Sequence, residues 1–423
     1  MNRLPFATVY RICLWGVVAM LMVTSAAGVA QAQPAGPQPA NAVALPSSAN
    51  VVDLSSPGDL KVAAGAMEST LAQIAAAAAA GDQAVLATFD GTRHVHVAQG
   101  TARVILEMDV DPQAQAVGGP TYETVALPNG QLATIEHAAQ IALRPDLAAA
   151  IAATGATYET AYENWVQVLA PFASLEALSK IDGVRYVRLP FLARQHALPS
   201  QQKTPQREPL IGTQTTQGVN LTNINTWHSA GYDGTGVNIA VFDFGFTGWD
   251  TRATNGDLPT VASGNLVLKD FSGSYGFGPP GTSGQEHGTA CAEIAYDMAP
   301  SSKMYLYAFY TEVEFGNAVA DYNAVSGKKA ASMSIGWWNA GPYDGSGPIN
   351  AIVNTSATTY NVLWAVSAGN DQKAHHSWTS SQFGSGNYVQ VGTNEFQEYG
   401  TNETSFWVFQ SGVVDAYLAW NDW

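Results

Sequence analysis

Short apolar runs at Asn238–Phe242, Met304–Phe309, Ala330–Ile335 and Val362–Val366 alternate with stretches of helical spacing at Gly288–Met298, Asn317–Ser326 and Pro348–Tyr360. Apolar runs joined by crossover helices predict a parallel sheet with helices on both faces. In such a sheet the functional rim lies beyond the carboxyl ends of the strands. Upstream the period changes. Val104, Leu106, Met108 and Val110 alternate with Arg103, Glu107 and Asp109, which predicts a half-buried strand. Pro145 opens a helix bearing Leu147 and Ile151, and Gly155 closes it. Trp165–Leu169 then reads as a strand, Ser174–Ile181 as a short helix and Val184–Leu189 as a strand. That β, α, β, α, β order predicts a small α+β domain over 101–193.

The flanks read differently. Arg3 and Arg11 precede the apolar stretch Ile12–Val23, and Ala30-Gln31-Ala32 places small residues where a signal peptidase cuts, so 1–32 is expected to be a secretory signal. The apolar stretch is short for a membrane span. Residues 33–100 are expected to form a linker and an Ala-rich helical segment, with Leu60, Met67, Leu71 and Ile74 as a partial apolar stripe. Residues 194–218 are polar and read as an exposed connection suited to proteolytic cutting. The α/β domain occupies 219–423.

Composition narrows the function classes. The chain of 423 residues carries a formal net charge of -16, which repels phosphate backbones, so no nucleic-acid partner is expected. Of its two cysteines, Cys13 lies in the signal, which leaves Cys291 without an intrachain disulfide partner. Stability must come from an ordinary packed core.

Polar residues gather at the predicted strand ends. Gly234-Thr235-Gly236-Val237 opens a buried strand that finishes at Asp243-Phe244-Gly245, placing an acid where it can orient an imidazole. Glu286-His287-Gly288-Thr289-Ala290-Cys291-Ala292 sets a histidine at the start of a helix of small residues. That helix end favours the neutral imidazole, as a general base requires. Cys291 is expected on the packed side of the helix. Ser334-Ile335-Gly336 leaves room for an extended peptide to pair at a strand edge. Ser367-Ala368-Gly369-Asn370 ends the next strand, where the Asn370 amide can donate to an oxyanion.

Taken together, over Val219–Asp371, these segments resemble the subtilisin-like serine protease family. The resemblance implies a doubly wound parallel sheet, an acid at Asp243, a base at His287 and an oxyanion donor at Asn370. It further implies substrate-backbone contacts from Ser334, Ile335, Gly336, Ala368 and Gly369. Polypeptides are the implied substrates. The 101–193 domain becomes a propeptide that assists folding and blocks the cleft until removed. The expected product is a secreted, monomeric endopeptidase without a cofactor. Calcium sites are frequent in the family, but no acidic loop here has a recognisable ligand spacing, and neither isolated Asp257 nor His375-His376 supports a metal site.

The pattern departs from the family at two places. No Gly-Thr-Ser-x-Ala segment follows Asn370, and neither Ser283 nor Ser405 stands in the required context. The chain is therefore expected to stop short of its serine segment, within a β-rich insert at Phe406–Phe409 and Val413–Trp420, and to be inert as it stands. Phe244 replaces the family's small hydroxyl residue and puts local packing in question. Two rivals follow: an acid-acting sedolisin relative using Glu286 as base, and a secreted binding protein on a decayed protease scaffold.

Overall fold

The computed structural model describes residues 66–90, 94–113, 119–195, 215–273, 276–278, 285–338, 340–341, 345–369, 397–398 and 404–405. The chain divides into two units, Met1–Leu60 and Lys61–Trp423, and all of the described residues belong to the second. The expected signal, the strands after Phe406, and Asn370 lie outside the described residues.

The N-terminal portion is built from β1 (Ala66–Met67), α1 (Ser69–Ala80), α2 (Gln83–Ala87), β2 (Val95–His96), β3 (Thr101–Met108), β4 (Thr121–Ala126), β5 (Leu132–His137), α3 (Pro145–Ala153), β6 (Thr157–Tyr162), β7 (Trp165–Pro171), α4 (Leu175–Leu178), β8 (Val184–Arg188) and β9 (Leu192–Gln195). Strands β1, β8, β3, β7 and β6 lie side by side in that order, with β2 added on β3. The alternation places Val104, Leu106 and Met108 in a core, but β3 ends at Met108 and Val110 beyond it is 48% exposed. That core also holds Leu71 and Ile74 of α1 and Leu147 and Ile151 of α3. The Ala-rich helix is thus part of this domain and not of a linker, because its two large apolar residues are fully buried against the sheet.

After the connection come α5 (Gln217–Leu221), α6 (Ile224–Ser229), β10 (Val237–Asp243), α7 (Trp249–Asn255), β11 (Leu266–Asp270), α8 (His287–Met298), β12 (Lys303–Ala308), α9 (Glu312–Asn323), β13 (Lys328–Met333), β14 (Ile335–Trp338), α10 (Pro348–Thr359), β15 (Val362–Val366), β16 (Gln397–Glu398) and β17 (Thr404–Ser405). A seven-stranded sheet runs β15-β13-β10-β12-β11-β5-β4. All pairs from β15 to β5 are parallel, and β4 is antiparallel to β5. The fold is mixed α/β, with a mixed sheet where an all-parallel one is expected. Successive β10 residues feed opposite cores: Phe242 packs with Phe315 and Tyr322 of α9, while Val241 packs with Trp249 of α7 and Ala292 of α8. Helices therefore cover both faces. Among the described residues, no helix is long and apolar enough to cross a membrane.

Three boundaries differ from expectation. Helix α9 starts at Glu312, five residues ahead of Asn317, because Thr311 and Glu314 close a capping box that satisfies the first-turn N–H groups. The run Ala330–Ile335 is broken at Ser334, where β13 stops and Ile335 begins a separate strand, β14. The 101–193 domain is not self-contained either. Its hairpin β4–β5 leaves the N-terminal sheet and joins the seven-stranded one beside β11.

Candidate active site

Asp243 is the last residue of β10 and is fully buried. One carboxylate oxygen accepts the Phe244 N–H at 2.8 Å. The other lies 2.7 Å from His287 Nδ1. A carboxylate only accepts, so the proton of this bond sits on Nδ1 and Nε2 carries the ring's lone pair. The imidazole side chain is 34% exposed, which leaves it open to a reactant while its partner is sealed.

Sequence explains why the two groups meet. His287 is the first residue of α8, and Gly288 lets that helix touch β10 directly. A Cβ on Gly288 would lie 2.4 Å from the Gly245 carbonyl oxygen and 2.7 Å from the Asp243 Cβ. The Gly288 N–H donates to that same carbonyl at 3.2 Å. Gly288→Ala should therefore push α8 off the strand. We expect a loss of about 1–3 kcal/mol in chemical denaturation, together with disappearance of the downfield Nδ1 proton resonance of His287.

Electrostatics reverse one expectation. The helix N-terminus is expected to favour neutral imidazole, yet the hydrogen bond that His287 donates to Asp243 raises the His287 pKa above its ordinary value. Burial opposes this and the Asp243 charge adds to it. A full carboxylate at hydrogen-bond distance outweighs a fractional helix charge.

Cys291 lies one turn along α8, half-buried and packed against the core on the expected side, and it also approaches the dyad. One potential ligand atom each from Asp243, His287 and Cys291 lie within 4.8 Å of one another. Burial pushes the thiol pKa up, the Asp243 charge adds to this, and a Ser334 hydrogen bond opposes it.

Ser334 thus reaches the same neighbourhood, and Ile335 and Gly336 open β14. That strand is already paired: Ile335 opposes Gln195, Gly336 opposes Arg194, Trp337 opposes Ala193 and Trp338 opposes Leu192, antiparallel. The predicted peptide-binding edge carries a peptide segment from this same chain, which residue types alone did not indicate. Ser367 N–H donates to the Met333 carbonyl at 3.1 Å, so Ala368 and the positive-φ Gly369 follow β15 at the neighbouring strand end. Asn370 lies outside the described residues. Phe244 finds its place in an aromatic group, stacked on Tyr310 at 5.7 Å and edge-on to Phe309 at 5.8 Å.

No protein-family model matches the chain, and no curated protein matches it.

Proposed function

We propose that this protein is a secreted serine endopeptidase with a subtilisin-like fold, made as a precursor whose N-terminal domain covers the substrate edge. The observation that carries the reading is the 2.7 Å bond between His287 Nδ1 and the buried Asp243 carboxylate at the carboxyl end of a parallel strand. Pairing of β14 with the extended segment Leu192–Gln195 supports it, since a substrate backbone would use the same edge.

The reaction is acyl transfer. Asp243 holds His287 in the tautomer that leaves Nε2 basic, and Nε2 takes the proton of a serine hydroxyl as it attacks the peptide carbonyl. The imidazolium then gives that proton to the departing amine, and Asp243 stabilises the charge between the two steps. Asn370 is assigned the oxyanion donor by resemblance. The serine itself is not assigned within residues 1–423.

Fluorophosphonate labelling of the protein purified from its source, followed by mapping of the modified residue, tests the proposal. One labelled serine, with labelling lost in His287→Ala, is the expected result. Absence of label, or label unchanged in His287→Ala, removes it.

A further inference from the structure

We infer that the hairpin Thr121–His137 makes the N-terminal domain a permanent partner of the seven-stranded sheet, so that cutting the 196–214 connection yields a two-chain molecule and not a released fragment. The inference does not depend on the protease reading, because it concerns only which segments share a core.

The hairpin is joined to the sheet in three ways. Strand β5 pairs with β11 through Ile135, Glu136 and His137 opposite Leu268, Lys269 and Asp270, and the ladder continues where the Ala138 N–H donates to the Asp270 carbonyl at 3.0 Å. Its apolar residues Leu127, Ala133 and Ile135 are buried in the core that also holds Trp249, Leu268 and Leu306. Finally, Lys269 Nζ donates to Glu136 at 2.6 Å, and His137 Nδ1 lies 3.6 Å from the Asp270 carboxylate.

An adjoining contact works alongside the hairpin. The first turn of α9 is buried by the N-terminal sheet: Glu312 pairs with Arg188 at 2.5 Å, and Gln167 donates to Glu314 at 2.9 Å. Gly316 lies against the Tyr162 ring, with room for no Cβ: one placed there would sit 2.5 Å from the ring. Separating the two portions would expose apolar core and strip partners from acids that are now buried. Both losses are unfavourable. The short pair β9–β14 forms a separate two-stranded sheet, and it reinforces the α9 contact, since Ala193, Ile335 and Trp337 pack in the core that holds Phe315.

The test uses the full chain with a site-specific protease sequence inserted after Gln202. After complete cutting, size exclusion and native mass spectrometry should find both pieces in one species, and the Ala138 amide should keep its slow hydrogen exchange. The hairpin variant Ile135→Glu should fold when uncut and, once cut, weaken the association by about a hundredfold or more, as a charge placed in an apolar site implies. Separation of the unmodified pieces at micromolar concentration overturns the inference. So does an Ile135→Glu complex that survives as tightly as the original. Should that variant fail to fold uncut, the Ala138 exchange rate in the unmodified cut protein decides: retained protection supports the inference and lost protection defeats it.

Discussion

On the proposed acyl-transfer reading, His287→Ala should lower peptide kcat/KM by about a millionfold, and Asp243→Asn by roughly ten-thousandfold, the scale of losses known for subtilisin. The inequality follows from geometry. Without His287 no group accepts the serine proton. Without the carboxylate the imidazole remains, but an amide can donate to Nδ1 and so stabilise the tautomer whose proton sits on Nε2. The pH profile separates this from a merely structural effect. His287 must be neutral to act as base, and its pKa is raised above 6.5 by Asp243. The acid limb of kcat/KM should therefore lie above pH 6.5 and move down in Asp243→Asn. A limb that stays where it was in Asp243→Asn would show that the titrating group is not His287.

The dyad was legible in the sequence because its cause is local. A Gly-rich turn, a seven-residue strand and a terminal acid are contiguous, and so are His287 and the Gly288 that brings its helix against that strand. Sheet membership is a different matter. Nothing within Thr121–His137 specifies its neighbour: β4 is almost wholly exposed, and the alternation in β5 is equally compatible with either sheet. Its place is fixed by Leu268 and Trp249, more than a hundred residues away. The break at Ser334 is likewise non-local, since β14 owes its existence to Leu192–Gln195. By contrast, the true start of α9 was written in the chain. Thr311 and Glu314 have the three-residue spacing of a capping box. That signal identifies Glu312 and Glu314 as first-turn acids, and only tertiary structure reveals that both are buried under the N-terminal sheet.

Burial of that kind makes the molecule sensitive to pH in the direction opposite to ordinary acid unfolding. Glu314 is pushed up from 4.5 to about 7, chiefly by burial, against the opposing pull of Gln167, the Arg103 charge and the N–H groups of Tyr310 and Thr311. The other charges facing it are Glu159 on β6, bonded to the same Gln167 amide at 3.0 Å, and Arg103 on β3, which holds Glu159 at 2.6 Å. Between pH 4.5 and 7 the folded protein thus binds a proton at Glu314 that the unfolded chain has lost. Stability from this group is complete below pH 4.5 and falls as pH rises through 7, by about 3 kcal/mol in all. His287 works in the same direction, because its folded pKa is also raised: its contribution is complete below 6.5 and is lost as pH passes its folded value. The two are separable by substitution. Glu314→Gln cannot ionise and keeps one oxygen to accept from the Tyr310 and Thr311 N–H groups, while its amide nitrogen replaces the oxygen that accepts from Gln167. Its midpoint in denaturant should therefore vary much less between pH 5 and 8 than that of the unmodified protein, and His287→Ala should retain most of the slope. A Glu314→Gln profile as steep as the original would place the pH dependence elsewhere and show that the carboxyl facing Gln167 is already ionised throughout.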